Sequence, residues 1–191
     1  CLCSDAQLVW RAGAPAAQGD PTEGALVVAA AREGLDKNKL EEEQPRREEL
    51  PFDSNRKLMS TVHPRPEGGF RVYVKGAPDI LLNRCTSGPR GPLTAPQRTK
   101  ILRANEEMAG QALRVLAVAQ RDLAFLPPTL DSQTLENGLN FLGLFGLMDP
   151  PRPEAKEAVA LCHRAGVRPV MITGDHKATA AAVARELDIL R

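Results

Sequence analysis

Lys57-Leu58-Met59-Ser60-Thr61-Val62-His63 and Phe70-Arg71-Val72-Tyr73-Val74-Lys75 are the two runs that decide how the first part of the chain folds. Both contain apolar and β-branched residues, and the polar loop between them, Pro64 to Gly69, carries the Pro and Gly residues of a turn. Two such runs on either side of a short loop are typical of a β-hairpin. We therefore expect an antiparallel sheet built around these two strands.

A helix signal precedes the hairpin at Asp20-Pro21-Thr22-Glu23. Asp20 is expected to be the N-cap and Pro21 the first helical residue, because proline is tolerated where no backbone N–H is needed. Glu23, three residues after the cap, is expected to complete a capping box. The helix should end at Gly34.

The other elements of this region follow from Pro and Gly positions and from apolar periodicity. In chain order they are a charged helix or loop over Lys37 to Glu49, a short helix from Pro78 to about Cys85, a longer helix from Thr94 to near Gly110, a strand from Leu113 to Ala119 and a loop or linker from Arg121 to Glu136. Residues 1–136 are therefore predicted to form one α+β domain, an antiparallel sheet flanked by helices.

The sequence changes character near Asn137, and residues 137–191 are predicted to form part of a second domain. Phe141 to Met148 is apolar at nearly every position, as expected of a strand covered on both faces. After it come a helix from Pro153 that Gly166 caps, a second buried strand from Val167 to Ile172 and a helix from about Lys177 to Leu187. This β-α-β-α order predicts parallel strands, which need further strands beside them to form a stable sheet.

The composition of the 191 residues is that of a globular protein, with 42% hydrophobic and 26% charged residues. A formal charge of +1 and few aromatic residues argue against nucleic-acid binding. The four cysteines do not form a disulfide or zinc pattern, and the three histidines, His63, His163 and His176, are not expected to bind metal. The longest apolar stretch is far shorter than the roughly 20 residues that cross a bilayer, so the segment is expected to be soluble, and it looks excised from a longer protein.

Two segments of the second region could meet a phosphate. Thr173-Gly174-Asp175 follows a predicted parallel strand and precedes a helix, where ligands bind in open α/β sheets. Alternatively, Asp175 is only an N-cap and Gly174 only a turn residue. Asp149-Pro150-Pro151-Arg152 places an acid and a base at the end of the previous strand, although a stiff strand-to-helix joint would explain the two prolines equally well.

The first region holds further candidates for ligand binding. Lys75 beside Gly76 could bring an ammonium to a phosphate, or could be a surface lysine next to a turn. Phe52 and Met59 could hold a flat adenine ring, or could simply fill the core.

Two charged residues of the same region are equally open to a structural explanation. Arg114 lies in an apolar strand and must reach solvent, a carboxylate or an anionic ligand. Glu23 could accept a hydrogen bond from an adenine amino group, but the capping box would also explain it.

Several of these segments occur together in an order that resembles the P-type cation-transporting ATPases, most closely the type II calcium pumps. The matching segments are Gly19-Asp20-Pro21-Thr22-Glu23-Gly24-Ala25-Leu26, Phe52 through Ser60, Lys75-Gly76-Ala77-Pro78, Leu113-Arg114-Val115-Leu116-Ala117, Asp149-Pro150-Pro151-Arg152 and Met171-Ile172-Thr173-Gly174-Asp175. The resemblance implies a nucleotide-binding domain followed by an incomplete Rossmann-like segment of the haloacid dehalogenase type.

The resemblance also implies roles for individual residues. Phe52 would stack on adenine, Glu23 and Met59 would form the neighbouring wall, and Lys75 with Gly76 would form the floor of the pocket. Arg114 would meet the phosphates, and Leu116 would pack beside the nucleotide. Thr173, Gly174 and Asp175 would handle the terminal phosphoryl group, with support from Asp149 and Arg152.

The sequence departs from the family pattern in two ways. Ser54 stands where many calcium pumps carry an arginine that helps to hold the phosphates, and Arg56 or Lys57 would have to compensate. No aspartate is followed by Lys-Thr-Gly, the family's phosphorylation motif, and the later Gly-Asp-Gly-x-Asn-Asp segment that helps to bind Mg²⁺ is also missing. The segment is therefore expected to bind ATP without hydrolysing it.

The resemblance implies a parent enzyme in a membrane, the plasma membrane of a bacterium, with this segment on the cytoplasmic side. Its expected partners are ATP, Mg²⁺ and the remaining phosphorylation, actuator and transmembrane domains of the same chain. The parent would couple ATP hydrolysis, through an aspartyl-phosphate, to transport of a cation, with calcium as the expected ion. The alternatives are a free-standing nucleotide-binding regulatory module and a fragment of a haloacid dehalogenase-type phosphatase.

Overall fold

A computed structural model describes residues 1–111, 113–148, 152–173 and 177–190 of the chain. The chain divides into two compact units, the first formed by residues 1–98 and 116–145 and the second by residues 99–115 and 146–191. Nine strands are described: β1 (Gln7–Arg11), β2 (Ala14–Gln18), β3 (Glu48–Asp53), β4 (Leu58–Pro64), β5 (Phe70–Gly76), β6 (Cys85–Gly88), β7 (Gly91–Pro92), β8 (Arg114–Leu123) and β9 (Leu139–Leu147). The helices described are α1 (Pro21–Arg32), α2 (Lys37–Glu43), α3 (Pro78–Arg84), α4 (Ala95–Gly110), α5 (Ser132–Leu135), α6 (Pro153–Arg164) and α7 (Lys177–Glu186).

The predicted hairpin of β4 and β5 is confirmed. The two strands pair antiparallel without a register shift, from Leu58 opposite Gly76 to Pro64 opposite Phe70. β8 continues the sheet on the other side of β5, with Gly76 opposite Ala117. The central strands therefore form one continuous antiparallel ladder.

Both faces of the central strand β4 are covered, because nearly all of its side chains are buried. Residues directly opposite each other in a ladder lie on the same face of the sheet. One face carries the apolar core of the first unit, which includes Leu58, Val62, Val72, Val74, Ala117 and Ala119. The other face carries Met59 and Lys75, and we call it the Lys75 face.

The predicted start of α1 is confirmed in part. Asp20 caps the helix by accepting a hydrogen bond from the backbone N–H of Glu23 at 3.0 Å, and Pro21 is its first residue. The capping box, however, is wrong, because the Glu23 carboxylate accepts hydrogen bonds from Asp5 and Ala6 instead of from the cap. Those residues belong to a distant segment that no local pattern indicates.

The sheet is larger than the sequence predicts, and it is mixed. β3, β6 and β7 were not predicted, and the strand order is β3-β4-β5-β8-β9-β6-β7. β6 pairs parallel to β9, whereas the pairs β3–β4, β4–β5, β5–β8 and β6–β7 are antiparallel. β1 and β2, also not predicted, form a separate antiparallel hairpin. The α+β class is thus observed, with a mixed sheet where an antiparallel one was predicted.

The predicted strand of the second region belongs to this sheet. β9 covers most of Phe141 to Met148, but it lies between β8 and β6. Leu142 and Phe145 are exposed, so the prediction of a strand covered on both faces is wrong. Apolar periodicity reports that a strand has hydrophobic side chains, and it does not identify the neighbouring strands.

The second unit contains most of α4 together with α6 and α7. Gly166, with a φ of +71°, ends α6 as predicted, since its left-handed backbone conformation suits glycine at a helix C-terminus. The predicted strand from Val167 to Ile172 is wrong, because these residues form no regular element and Ile172 is 94% exposed. A parallel strand needs a paired neighbour, and the described residues provide none for this segment. The boundary between residues 136 and 137 stays a prediction.

Gly76 is a position where the fold excludes a side chain. A Cβ atom there would lie 2.1 Å from the carbonyl oxygen of Lys57 and 2.8 Å from Leu58 Cδ2. We expect Gly76→Ala to lower the free energy of unfolding by about 1–3 kcal/mol, because the backbone of the neighbouring strand must move.

Urea denaturation followed by circular dichroism measures this loss. Gly143→Ala is the matched control, since it also lies in a strand and a Cβ atom there meets nothing within 4 Å. Equal stability of the two variants would contradict the close approach at Gly76.

Candidate functional site

The Lys75 face brings predicted site residues together at one end of the central strands. Met59 on β4 lies directly opposite Lys75 on β5, so the two side chains share this face. Met59 is fully buried and Lys75 is only 7% exposed. A lysine buried to this extent needs an anionic partner.

Glu23 is the partner of Lys75. Its Oε1 accepts a hydrogen bond from Lys75 Nζ, while its Oε2 accepts one from the backbone N–H of Asp5 at 2.6 Å and one from that of Ala6 at 3.1 Å. The hydroxyl of Ser4 donates a further hydrogen bond to Oε2, at 3.3 Å. The structure thus joins Glu23 and Lys75, two residues that are 52 positions apart in the chain.

These contacts control the ionisation of Glu23. Burial opposes ionisation, but the hydrogen bond and the charge of Lys75, followed by the N–H groups of Asp5 and Ala6, outweigh it. They hold the pKa of Glu23 below its ordinary value. Glu23 is therefore a fixed acceptor at neutral pH, and the Lys75 charge is already compensated.

Phe52 reaches the same face through an irregularity in β3. Leu50 pairs with Ser60 and Asp53 with Leu58, which leaves Pro51 and Phe52 together opposite Met59 as a β-bulge. Asp53 lies on the core face with Leu58, and since side chains alternate along a strand, Phe52 lies on the Lys75 face. Its ring is 62% exposed. Phe52 does not fill the core, whereas Met59 does.

Two other predicted residues of the first unit adjoin this place. Gly76 follows Lys75 and pairs with Ala117. Leu116, next to Ala117 on β8, is half-buried. The first unit therefore holds Glu23, Phe52, Met59, Lys75, Gly76 and Leu116.

The other predicted site residues lie in the second unit or outside the described residues. Arg114 begins β8 and is exposed, and Arg152 precedes α6 and is also exposed. Thr173 is exposed at the end of a described segment. Asp149, Gly174 and Asp175 lie outside the described residues, so the structure does not test the phosphoryl-handling group.

Arg56 is one of the two residues expected to compensate for Ser54, and its side chain is already engaged. Its Nη2 donates to the carbonyl oxygens of Pro51 at 2.7 Å and Leu58 at 3.0 Å, and its Nε lies 3.1 Å from Glu136 Oε2. Lys57, by contrast, is exposed in the turn that approaches Gly76. Sequence reasoning missed Glu136, a charged residue at the end of a short helix with no local sign of a partner.

Chemically, the arrangement suits binding of a flat, partly polar molecule. It places an exposed aromatic ring and a carboxylate that stays ionised on one face of the sheet, with the buried thioether of Met59 on the same face. An aromatic face stacks on planar rings, and the carboxylate accepts hydrogen bonds from amino groups. Among residues 1–111, 113–148, 152–173 and 177–190 there is no cluster of three or more His, Cys, Asp or Glu side chains that could hold a metal ion.

The chain was compared with known proteins. A family model described as "P-type ATPase, cytoplasmic domain N" matches residues 1–154. The cation-transporting ATPase pma1 of Synechocystis sp. is 44% identical over 98% of this chain and 21% of its own length. The calcium-transporting ATPase 1 of Bacillus cereus is 45% identical, also over 98% of this chain and 21% of its own length.

A third relative carries a different ion in its name. The sodium/potassium exporting P-type ATPase cta3 of Schizosaccharomyces pombe is 42% identical over 91% of this chain and 17% of its own length. The chain therefore spans about a fifth of the length of the curated relatives it matches. In the part of the chain that the structure describes, no helix is both long and apolar enough to span a bilayer. On the family match and these identities, the chain belongs to the P-type ATPases.

Proposed function

We propose that the first unit binds the adenine nucleotide that a P-type ATPase uses to transport a cation. The observation that carries this proposal is the placement of Phe52 and of the Lys75–Glu23 pair on the same face of the sheet, with the Phe52 ring exposed. Those three residues come from segments far apart in the chain. A face that only filled a core would bury the aromatic ring instead of exposing it.

The candidate site residues of the first unit have separate proposed roles. Phe52 stacks on the adenine ring, and Met59, which is buried, supports the neighbouring wall from within the core. Glu23 accepts a hydrogen bond from the adenine amino group. Lys75 and Gly76 form the floor, where the lysine keeps Glu23 ionised and the glycine keeps the two strands close.

The phosphate end of the nucleotide is proposed from the resemblance to the family. Arg114 would meet the phosphates, and Leu116 would pack beside the nucleotide. Lys57 is the residue best placed to compensate for Ser54, because Arg56 is held by Glu136 and by backbone carbonyls. Thr173, Gly174 and Asp175, with Asp149 and Arg152, would act on the terminal phosphoryl group, and Mg²⁺ would accompany ATP.

We also propose that the parent protein resides in a membrane, with this segment on the cytoplasmic side joined to phosphorylation, actuator and transmembrane domains. The domain N family match and the relatives that are named as cation-transporting ATPases support this. A haloacid dehalogenase-type phosphatase fragment is less well supported, since it would not explain the family match over residues 1–154.

Removal of the Phe52 ring tests the binding proposal. We expect Phe52→Ala to weaken ATP binding by about 1–3 kcal/mol, the contribution of base stacking on an aromatic ring. This corresponds to a dissociation constant about 5- to 150-fold higher. Calorimetry measures the affinity, and NMR titration of the original chain should shift the signals of Phe52 and Lys75.

Phe125→Ala is the matched control, because Phe125 is an exposed ring of the first unit that lies outside the Lys75 face. It should leave ATP affinity unchanged. If Phe52→Ala binds ATP as tightly as the original chain, Phe52 is not the stacking platform.

Removal of the Lys75 charge tests the electrostatics of the same face. We expect Lys75→Met to raise the pKa of Glu23, because the largest favourable contacts of its ionised form are lost. A lowered pKa in the folded state stabilises the protein at pH values above the unfolded-state pKa, and this contribution disappears as the pH falls through the folded-state pKa. In Lys75→Met, the free energy of unfolding should therefore fall less steeply as the pH is lowered into the acid range.

Carbon-13 NMR of the Glu23 carboxyl group measures this pKa directly. Lys39→Met removes an exposed lysine of α2 and serves as the control. An unchanged Glu23 pKa in Lys75→Met would show that the ion pair does not persist in solution.

The proposed ion is calcium, and the complete parent protein is needed to test it. ATP-driven uptake of calcium into vesicles that contain the complete protein is expected, and uptake of another cation in its place would reject calcium.

The 191-residue chain, in which no aspartate precedes Lys-Thr-Gly, should bind ATP but form no acid-stable phosphoenzyme. Transfer of radiolabelled phosphate to the chain would contradict this.

A further inference from the structure

The bulge that carries Phe52 lacks ordinary ladder support. Two residues, Pro51 and Phe52, lie opposite Met59 alone, so the regular pairing of β3 with β4 is interrupted there. Pro51 also has no backbone N–H to donate across the strands. An exposed ring on an interrupted strand would sample many positions unless another interaction held the backbone.

Arg56 provides that interaction. Its Nη2 group donates to Pro51 O at 2.7 Å on β3 and to Leu58 O at 3.0 Å on β4. Leu50 O lies further away, at 3.4 Å. The guanidinium therefore joins the two strands across the bulge, immediately before Phe52.

Glu136 fixes the position of Arg56. Its side chain is 0% exposed, and Oε2 lies 3.1 Å from Arg56 Nε. The Nε–H direction is outside hydrogen-bond geometry, so this contact is an ion pair. Ser60 donates to Oε1 at 2.5 Å and Ser132 donates to Oε2 at 2.6 Å. A buried carboxylate with these partners tolerates little displacement of the guanidinium.

The pair lies behind the proposed ligand face. Ser60, which bonds to Glu136, lies on the core face opposite Leu50, whereas Phe52 lies on the Lys75 face. Glu136 is therefore separated from a ligand on Phe52 by the sheet itself. Its effect on binding must pass through the backbone of the bulge.

We infer that the buried Arg56–Glu136 pair is a positioning device that orders the bulge and holds the Phe52 ring ready for the adenine base. This inference rests on the proposed function of Phe52. It assigns Arg56 and Glu136 to the base end of the site, in place of the phosphate role that sequence reasoning considered for Arg56.

Two substitutions in the 191-residue chain test the pair. Glu136→Gln removes the charge and keeps an acceptor oxygen for only one of the two serines, because its amide NH₂ group replaces the other oxygen. Arg56→Lys keeps a cation beside Glu136, but its single ammonium cannot at the same time replace Nη2 between the two carbonyls. We expect each to weaken ATP binding by a factor no larger than that of Phe52→Ala. Neither should add a further loss when Phe52 is already alanine, because the ring through which they act is gone.

Inorganic triphosphate and Arg98→Lys supply the controls. Triphosphate has no base, so its affinity should not change in either variant. Arg98 donates to the carbonyl oxygens of Leu82 at 2.6 Å and Cys85 at 2.5 Å, and Arg98→Lys removes the same kind of contact away from the bulge. It should lower the unfolding midpoint without changing ATP affinity.

The outcomes separate the two proposals. If Phe52→Ala itself leaves ATP affinity unchanged, the proposed function fails, and this inference fails with it. If Phe52→Ala weakens binding but Arg56→Lys and Glu136→Gln do not, the positioning inference alone is overturned. Additive losses in the double variants, or equal losses for ATP and triphosphate, also overturn it. Should Glu136→Gln fail to fold, Arg56→Lys decides the question, since it leaves the buried carboxylate paired.

Discussion

The uninterrupted pairing of β4 with β5 is the constraint on which the rest of the first unit depends. Seven residues of each strand pair in register, so every side chain of β4 has a fixed neighbour on β5. A shift of one residue would exchange the two faces and bury Lys75 in the apolar core. The register therefore determines the core and the Lys75 face together.

Two ion pairs lie on opposite faces of this sheet, and each connects the sheet to a different part of the chain. On the Lys75 face, Glu23 compensates a buried ammonium and ties α1 and the segment before β1 to β5. On the core face, Glu136 compensates Arg56 and ties α5 to the turn between β3 and β4. Buried pairs add little net stability, but each is costly to break, so both favour one arrangement over its neighbours.

Short sequence patterns correctly predicted the structural features that depend only on neighbouring residues. The hairpin, the cap at Asp20, the start of α3 at Pro78 and the end of α6 at Gly166 each depend on a few neighbouring residues, and each is observed. The prediction of a capping box at Glu23 was wrong because the groups that donate to its carboxylate are far away in the chain. The prediction of a strand from Val167 was wrong because a strand needs a neighbouring strand to pair with. Apolar periodicity does not indicate whether such a neighbour is present.

The candidate site shows the same division. Phe52 and Lys75 could be picked out by residue type and by resemblance, but the reason that they share a face is a bulge at Pro51 that the sequence does not reveal. Arg56 illustrates the opposite error, since its charge and position suggested a phosphate contact while its geometry commits it to backbone carbonyls and Glu136. The charge of a residue predicts that it needs a partner, but only the folded structure identifies that partner.

Relatives whose names specify different ions share this region at similar identity, 45% for a calcium-transporting ATPase and 42% for a sodium/potassium exporting one. A segment that chose the ion would be expected to diverge between them. The two ion pairs affect the orientation of the Phe52 ring and the charge of the Glu23 carboxylate. Neither effect involves the transported ion. The similar identities to this chain therefore do not separate the ions that the names of the two relatives specify.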